Sequence, residues 1–224
     1  MNGVRAMILD LDGTLLCSND AHAKAFVEAG LEMGVHVDFD VIRALIGKGG
    51  DKLIPEAFGF SSESESGQRL SRRKKEIFTT RYLEHLAPTP GARDLLLRLR
   101  EEGIRRVLAT SSGETLMNRL LEQAGVEDLI EEATSAGEVR ASKPDPDIVR
   151  LALDKVKLPA AQVIMLGDTP FDVAAATRGG IRLIALRTGG WGDRALRGAA
   201  AIYDDPADLL EHYATSPLVQ ERAE

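Results

Sequence analysis

The sequence predicts an α/β protein in which a parallel sheet is flanked by helices and a helical segment is inserted after the first strand. From Gly91 onward, segments with helical periodicity alternate with short apolar runs, which is typical of a parallel sheet. Residues 16–87 look mostly helical and contain no convincing strand. The chain has 224 residues, 44% hydrophobic and 28% charged, so it is long enough for a core domain with a smaller insert.

The elements follow in order. The predicted strands are residues 4–9, 104–110, a short one near 129–130, 163–166 and 181–186. The predicted helices are residues 92–102, 114–124, one after Lys143 and 171–178. Glycines that tolerate a left-handed conformation follow three of these helices, at Gly103, Gly125 and Gly179–Gly180. This alternation predicts a core domain of residues 1–15 and 88–224, with residues 16–87 as a helical cap domain.

Charge and composition limit the classes of partner. The 28 basic and 35 acidic residues give a formal net charge of −7, which argues against a nucleic-acid backbone as the main partner. No apolar run reaches the roughly 18 residues that a membrane helix needs. The first fifteen residues leave no room for a cleavable signal, and the single Cys17 cannot form an internal disulfide. We expect a cytoplasmic monomer or homodimer that does not bind nucleic acid or membranes.

Polar residues with useful chemistry follow the apolar strands. Asp10 and Asp12 come after the first strand, and Thr110 ends the second. Lys143 lies in the loop before the third core helix, and Asp168 and Asp172 follow residues 163–166. Ligands bind at the carboxyl ends of strands in open α/β sheets, so these side chains are expected to converge on one crevice.

A crevice with several carboxylates needs a cation to offset their repulsion, and Mg²⁺ prefers oxygen ligands. Asp10 is a fixed carboxylate that can attack phosphorus. Thr110 and Lys143 are expected to bind phosphate oxygens. Asp12, two residues along an extended chain, can act as the general acid and base.

Each of these residues also has an ordinary structural interpretation. Asp10 and Asp12 could belong to a turn, Thr110 could be a strand-end hydroxyl, and Lys143 could be a solvated loop residue. Asp168 could cap the helix that follows it. A run of basic residues in the insert is interpreted as a solvated helix face; it comprises Arg72, Arg73, Lys74 and Lys75.

Four motifs, taken in order, resemble those of the haloacid dehalogenase superfamily. They are DLDGT at residues 10–14, the strand that ends in Thr110, SKPDPD around Lys143, and GDTPFD at residues 167–172. The resemblance covers nearly the whole chain and is strongest with the phosphoglycolate phosphatase and β-phosphoglucomutase group.

This resemblance implies a Rossmann-like, doubly wound core with a helical cap inserted after the first motif. It implies Mg²⁺ held by Asp10, the backbone carbonyl of Asp12 and Asp168. Asp172 is then a supporting acid near the metal, and Ser111 offers a backbone N–H to phosphate. Members that act on haloacids lack the second aspartate of the first motif and need no metal, so Asp12 argues against dehalogenation.

The insert carries further site residues that the resemblance implies. His22 aligns with a histidine of the hinge region in the mutases, and a structural histidine is the alternative. The sequence RALIGKGGDKL resembles the substrate-contacting cap loop and contains Arg43, Lys48 and Gly49. Cys17 stands where many phosphatases of this group have an acidic residue, and we expect it to be at least half-buried.

The function that these observations predict is Mg²⁺-dependent hydrolysis of a small phosphorylated metabolite, such as phosphoglycolate or a sugar phosphate, through an aspartyl-phosphate. A phosphoglucomutase-like phosphoryl transferase is one alternative. A receiver-like signalling domain, or a catalytically silent phosphate-binding protein, is an alternative from another class.

Overall fold

The computed structural model describes residues 3–135 and 138–219. Six parallel strands form one sheet in the order β3-β2-β1-β4-β5-β6. The strands are β1 (Ala6–Leu9), β2 (Arg105–Ala109), β3 (Glu132–Thr134), β4 (Val163–Gly167), β5 (Arg182–Leu186) and β6 (Ala201–Tyr203). This is the strand order of a Rossmann-like sheet, and it confirms the predicted fold class.

Helices cover both faces of this sheet. Helices also make up the insert, which lies in the sequence between β1 and the return of the chain to the core near residue 88. The insert holds α1 (Asn19–Glu32), α2 (Phe39–Arg43), α3 (Gly50–Phe58) and α4 (Glu65–Ile77), followed by a π-helical turn at Phe78–Tyr82. The core holds α5 (Ala92–Glu101), α6 (Glu114–Ala124), α7 (Asp147–Val156), α8 (Pro170–Gly179) and α9 (Pro206–Glu211). Residues 16–87 are all described and contain no strand beyond isolated bridges.

Two apolar layers hold the sheet between its helices. Side chains alternate along β1, so Met7 and Leu9 belong to one buried cluster and Ala6 and Ile8 to the other, as the two-residue period of a strand requires. All four side chains are fully buried. A central strand buried on both faces is expected to be apolar throughout, and the rigid strand fixes the position of the residue that follows it.

Some of the predicted elements differ from the structure. The strand expected near residues 129–130 was placed too early, because Leu129 is buried in a 3-10 turn at Glu127–Leu129 and β3 starts at Glu132. Strand β6 and helix α9 were not predicted. At the other core elements the boundaries agree to within two residues.

Two short chain segments connect the insert to the core, and they lie side by side. Leu16 bridges Pro88 in an antiparallel manner. The Cys17 N–H donates to the Ala87 carbonyl at 2.9 Å, and the Thr89 N–H donates to the Leu15 carbonyl at 3.1 Å. Cys17 itself is exposed, so the expectation that it is at least half-buried was wrong. No helix in the described residues is long and apolar enough to cross a bilayer.

Candidate active site

The register of the three central strands brings the predicted residues to one edge of the sheet. Leu9 of β1 is level with Leu108 of β2 and Leu166 of β4. Asp10 therefore follows at the level where β2 and β4 end, and Thr110 and Asp168 come one residue later. A cavity of about 100 Å³ lies at this edge, between the sheet and the insert. Its lining residues are Asp10, Asp12, His22, Phe26, Ile46, Gly47, Lys48, Gly49, Gly50, Leu53, Lys74, Ser111, Ser112 and Lys143.

Asp10 and Lys143 form a buried ion pair at the base of this cavity. The Lys143 Nζ donates to Asp10 Oδ1 at 2.5 Å and to Asp172 Oδ1 at 2.8 Å. The side chains of Asp10, Lys143 and Asp172 are at most 4% exposed. Burial raises the pKa of Asp10 well above its ordinary value, although Lys143 acts in the opposite direction. Burial would lower the pKa of Lys143, but the two carboxylates outweigh it and raise that pKa, so the lysine stays charged.

Asp172 is held by the first turn of α8. Its Oδ2 accepts hydrogen bonds from the Thr169 N–H at 3.0 Å and the Thr169 Oγ1 at 2.6 Å. The Thr169 hydroxyl in turn accepts from the Asp172 N–H, which completes a capping box. Thr169, and not Asp168, is therefore the residue that caps this helix.

Asp168 is buried without a lysine or arginine partner in the described part of the chain. Its Oδ1 accepts from Thr14 Oγ1 at 2.9 Å, and its Oδ2 accepts from Asn19 Nδ2 at 2.7 Å. Burial, followed by repulsion from Asp172, raises the pKa of Asp168 to about 7. The other end of the same amide, Asn19 Oδ1, is buried and has no hydrogen-bond partner among the described residues.

The chemistry of these donors fits a divalent cation. One carboxylate oxygen from each of Asp10, Asp168 and Asp172 lies within 4.8 Å of the other two. The three buried carboxylates have one lysine beside them, which pairs with Asp10 and Asp172. Burial first, and repulsion between the carboxylates second, raises the pKa of Asp10 and of Asp168. Hard oxygen ligands of this kind suit Mg²⁺. The unpartnered Asn19 oxygen is a further polar atom next to the cluster, because its amide group already contacts Asp168.

The Asp12 side chain turns away from this cluster and toward the insert. Its Oδ1 accepts from Ser18 Oγ at 2.6 Å and lies 2.7 Å from His22 Nε2, while its Oδ2 accepts from Ser112 Oγ at 3.2 Å. Burial alone would raise the pKa of Asp12, but His22 and these hydrogen bonds hold it below its ordinary value. The metal role predicted for Asp12 concerns its backbone carbonyl and stays a prediction.

Lys74 belongs to the site, so its interpretation as part of a solvated helix face was wrong. Its Nζ lies 2.7 Å from His22 Nδ1 and about 5 Å from the ring centres of Phe26 and Phe78. Burial lowers the pKa of Lys74 to about 8. The His22 ring stacks on Phe78 with centroids 3.9 Å apart. His22 therefore connects a core carboxylate to a lysine of α4.

The residues of the second motif lie at the other side of the cavity. Thr110 is fully buried at the end of β2, and its Oγ1 accepts a hydrogen bond from the Ser112 N–H at 3.1 Å. Thr110 itself does not line the cavity, whereas Ser111 and Ser112 do. The predicted phosphate-binding roles of Thr110 and Ser111 stay predictions.

The three predicted insert-loop residues lie where the insert contacts the core. Arg43 donates to Asp20 Oδ1 at 2.6 Å and to the Gly189 carbonyl at 2.8 Å. Lys48 pairs with Glu56, and its ammonium lies 4.9 Å from the centre of the Phe171 ring. The Gly49 N–H donates to Ser142 Oγ at 2.9 Å. Lys48 and Gly49 line the cavity and Arg43 does not.

Sequence reasoning did not single out Asn19, Ser112 or Lys74 as site residues. The only local signal for Ser112 was its place two residues after Thr110. Asn19 contacts a carboxylate 149 residues away, and Lys74 contacts a histidine 52 residues away. The Asn19 contact depends on how the insert docks on the core, and the Lys74 contact depends on how α4 packs on α1. Nothing in the local sequence pattern predicts either.

Comparisons with known proteins show which family has this arrangement of residues. A family model described as haloacid dehalogenase-like hydrolase matches residues 7–186. A phosphoglycolate phosphatase of Rhodospirillum rubrum is 32% identical over 221 residues, which cover 92% of this chain and 89% of that protein.

Two crystal structures extend the likeness to three dimensions. A hydrolase from Pseudomonas syringae has a TM-score of 0.87 and 28% identity, covering 94% of this chain and 98% of that one. CbbY from Rhodobacter sphaeroides, in complex with xylulose-(1,5)bisphosphate, has a TM-score of 0.78 and 26% identity, covering 92% and 96%.

A Rossmann-like sheet with buried aspartates at its carboxyl edge and a helical insert above them defines a class of α/β hydrolases. The chain belongs to the haloacid dehalogenase-like hydrolase family. Phosphatase is the activity named for the R. rubrum relative, and the cluster of buried aspartates fits that activity. The predictions of the family and of a phosphatase within it are confirmed. Enzymes of this type generally use a divalent metal ion, and the aspartate cluster is compatible with one.

Proposed function

We propose that this protein is a Mg²⁺-dependent phosphatase that hydrolyses a small phosphate monoester through a phosphoryl group carried on Asp10. The observation that carries the proposal is the convergence of Asp10, Lys143 and Asp168, which lie far apart in the sequence: Asp10 and Lys143 line one cavity, and Asp168 belongs to the same aspartate cluster as Asp10. The similarity to a phosphoglycolate phosphatase and to a structure with a bound sugar bisphosphate supports a small phosphorylated metabolite as substrate.

Asp10 is suited to be the nucleophile. Lys143 contacts its Oδ1, and Oδ2 has no hydrogen-bond partner among the described residues. The free oxygen attacks phosphorus while the bond between phosphorus and the leaving oxygen breaks. The attacking carboxylate must be ionised, and the Lys143 ammonium favours that form.

Mg²⁺, when bound, would supply positive charge beside the transferred phosphoryl group, and Asp10, the Asp12 carbonyl and Asp168 would hold it, with Asp172 as a supporting acid. Lys143 and the backbone N–H of Ser111 would bind the phosphoryl oxygens, and Thr110 would support that loop through its contact with Ser112. These assignments are consistent with the burial and spacing of the donors.

Asp12 would move the protons. A phosphate dianion in the cavity raises the pKa of a neighbouring carboxyl group, so Asp12 can hold a proton and give it to the leaving oxygen. Asp12 then takes a proton from a water molecule, which attacks phosphorus and releases phosphate from Asp10. The hydrogen bonds from Ser18 and Ser112 fix the orientation of this carboxylate.

Residues 16–87 are proposed to act as a cap that excludes water from the cavity. Phe26 and Leu53 contribute apolar surface to the cavity from the insert. A cap of this kind keeps bulk water away from the substrate while its phosphoryl group is transferred to Asp10. A cytoplasmic location and a monomeric or dimeric state remain predictions from the sequence.

The direct test is phosphate release from a panel of phosphorylated metabolites with and without Mg²⁺. The Asp10→Asn variant is expected to lose at least about 10³-fold in kcat, because an amide cannot form the covalent intermediate. Asp154→Asn, which changes an exposed carboxylate on α7, is the matched control and should retain full activity. Full activity of Asp10→Asn would contradict the proposal.

A second candidate function is a phosphoglucomutase-like phosphoryl transfer, and one contact favours it. His22 connects Asp12 to Lys74 of the insert, so the acid-base residue responds to the position of the cap. Such a connection would help an enzyme to discriminate between a sugar hydroxyl and water. Isomerisation of a sugar phosphate without net phosphate release would identify a mutase.

A further inference from the structure

Arg43 joins a helix of the insert to a loop of the core. It is the last residue of α2, and its Nε donates to Asp20 Oδ1, in the first turn of α1, at 2.6 Å. Its Nη2 donates to the Gly189 carbonyl at 2.8 Å, in the loop that follows β5. The Arg43 side chain is only 19% exposed, and it does not line the catalytic cavity. The two protein contacts are therefore the guide to what this arginine does.

Both segments that Arg43 joins also touch Asp168. Asn19 precedes Asp20 in α1, and its side chain donates to Asp168 Oδ2 at 2.7 Å. Gly189 lies against the same aspartate, because a Cβ on this glycine would stand 2.1 Å from the Asp168 carbonyl oxygen and 2.6 Å from Asp168 Oδ2. These contacts close a ring, called the contact ring below, whose members are Asp168, Asn19, Asp20, Arg43 and Gly189.

The orientation of Asp168 depends on its neighbours in this ring. In the described part of the chain its carboxylate accepts hydrogen bonds from Thr14 and Asn19, which are both neutral, and it pairs with no lysine or arginine. A metal ligand keeps its orientation through the groups around it, and those groups change metal affinity although they do not touch the metal. Displacement of either Asn19 or Gly189 would therefore leave the Asp168 carboxylate free to turn.

A guanidinium group is suited to hold these two neighbours in place. It is planar and always charged, and its several N–H groups allow one side chain to bind a carboxylate and a carbonyl at the same time. Asp20 is exposed, so its ion pair with Arg43 contributes little to stability. The main effect of Arg43 is therefore geometric, because it fixes the distance between the start of α1 and the loop at Gly189.

We propose that Arg43 is a positioning residue of the metal site, which holds Asn19 and Gly189 against Asp168 and so links the affinity for Mg²⁺ to the closed position of the insert. This inference rests on the Mg²⁺ site of the proposed function. Arg43 and Asp20 both belong to the insert and Gly189 belongs to the core, so opening would break the hydrogen bond to Gly189. The open protein should therefore bind Mg²⁺ more weakly than the closed one, and Mg²⁺ should in turn favour closure.

Calorimetric titration with Mg²⁺, without substrate, tests this role. Arg43→Ala should raise the dissociation constant by about fivefold, less than the roughly tenfold expected for a residue that contacts a metal ligand directly. Arg43→Lys should not restore the wild-type value, because an ammonium group on a flexible stem does not replace the fixed fork of the guanidinium. Arg93→Ala is the matched control and should bind Mg²⁺ like the wild type. Arg93 likewise donates to a carboxylate and to a glycine carbonyl, those of Asp128 and Gly125, and these residues lie outside the contact ring.

Trp191 provides a second measurement on the same loop. It is the only tryptophan in the sequence, it follows Gly189 by two residues, and its ring packs edge-on against Phe171 with centroids 6.4 Å apart. Arg43→Ala in EDTA should shift the Trp191 emission to longer wavelength, because a released loop exposes the indole to water. Saturating Mg²⁺ should shift this emission back toward that of the wild type, and Arg93→Ala should emit like the wild type throughout.

Asp20→Ala approaches the contact ring from its exposed side and keeps the proposal testable if Arg43→Ala does not fold. The Asp20 side chain is 67% exposed, so its removal leaves the core intact. Asp20→Ala should also raise the Mg²⁺ dissociation constant, and combining it with Arg43→Ala should add little, because both substitutions break one contact. Wild-type affinity in Asp20→Ala, or fully additive effects in the double variant, would contradict the contact ring.

The outcomes separate this inference from the proposed function. No Mg²⁺ binding by the wild type would contradict the metal site itself, and with it both proposals. Mg²⁺ binding by the wild type, with the same dissociation constant in Arg43→Ala as in Arg93→Ala, would overturn the role of Arg43 and leave the proposed function standing.

Discussion

Asp168 carries negative charge that the nearby cations leave uncompensated. Lys143 is 2.5 Å from Asp10 and 2.8 Å from Asp172, so its charge is already shared. Asp168 accepts hydrogen bonds from two neutral donors instead. The metal-free protein should therefore bind a proton at this carboxyl group near neutral pH.

Protonation of Asp168 in the folded protein makes the free energy of unfolding depend on pH. The pKa of Asp168 is raised to about 7 in the folded protein, so between pH 4 and 7 the folded state binds a proton that the unfolded chain releases. The free energy of unfolding without metal should fall as pH rises through this window, by on the order of 4 kcal/mol. Urea denaturation in EDTA at several pH values measures it.

Asp168→Asn is the comparison for that measurement, since the amide does not titrate. The difference in unfolding free energy between wild type and variant should change between pH 5 and 8 in EDTA. A constant difference would show that Asp168 titrates normally. Saturating Mg²⁺ should stabilise the wild type more at pH 8 than at pH 5, because the cation and the proton compete for the same oxygens.

Asn19 offers a separate prediction about metal affinity. Its amide nitrogen orients Asp168, and its buried oxygen has no partner among the described residues. Outer residues that orient ligands typically change metal affinity by 10- to 100-fold, so Asn19→Leu should raise the Mg²⁺ dissociation constant by at least about tenfold. Calorimetry without substrate measures it, with Asn118→Leu on α6 as control, and equal affinities would show that Asn19 only packs.

At the scale of elements, the first turn of α8 combines a cap with a site contact. Thr169 caps the helix and also donates to Asp172, which binds Lys143. Ser64 caps α4 in the insert by accepting from the Gly67 N–H at 3.1 Å, and its hydroxyl donates to the Ser61 carbonyl at 2.6 Å, so both contacts lie within the insert. These two caps therefore form a natural pair for comparison.

Alanine at either cap should cost about 1 kcal/mol of unfolding free energy, the usual loss for an N-cap hydroxyl. Thr169→Ala should also lower kcat severalfold, because Asp172 and Lys143 lose their fixed positions. Ser64→Ala should leave kcat unchanged. Chemical denaturation and steady-state kinetics of both variants give the answer, and equal kcat values would mean that the capping box has no part in catalysis.

The elements that could be predicted are those with a strong local pattern. The apolar runs of β1, β4 and β5 and the glycine stops after α5, α6 and α8 were sufficient to locate them. β3 was placed three residues early at its start because Leu129 is apolar for a different reason, as a buried residue of a 3-10 turn. β6 has only three half-buried residues and therefore no clear signal.

The candidate site likewise contains residues with a strong local sequence pattern, which could be predicted, and residues without one. Asp10, Asp168 and Lys143 could be predicted because each belongs to a motif at the end of a strand or in the loop before a helix. Lys74 could not, since RRKK in a helix is also the pattern of a solvated face, and only the docking of α4 on α1 brings its ammonium to His22.

At the scale of the whole molecule, polar contacts join the insert to the core around the cavity. Arg43 donates to the Gly189 carbonyl, and the Lys52 Nζ donates to Asp145 Oδ2 at 2.6 Å. Gly49 also lies too close to the core for a larger residue, because a Cβ there would lie 2.5 Å from the Ser142 Cβ. In the proposed cap motion, these contacts would break each time product leaves.

Lys52→Gln should therefore weaken closure without harming the fold. A partly exposed ion pair contributes about 0.2–1 kcal/mol, which predicts a rise in KM of up to about fivefold and a weaker dependence of KM on salt. Arg73→Gln, which breaks a pair with Glu32 inside the insert, is the control and should leave KM unchanged. If both variants behave alike, the Lys52 contact does not govern closure.

The pairing of the two connecting segments also determines how the insert can move. Leu16 and Pro88 are bridged, and hydrogen bonds tie Cys17 to Ala87 and Thr89 to Leu15. Two chain segments that are hydrogen-bonded side by side bend more easily out of the plane of those hydrogen bonds than within it. The proposed cap motion is thereby favoured about a single axis, so each closure would return His22, with Lys74 still bound to it, to the same position beside Asp12.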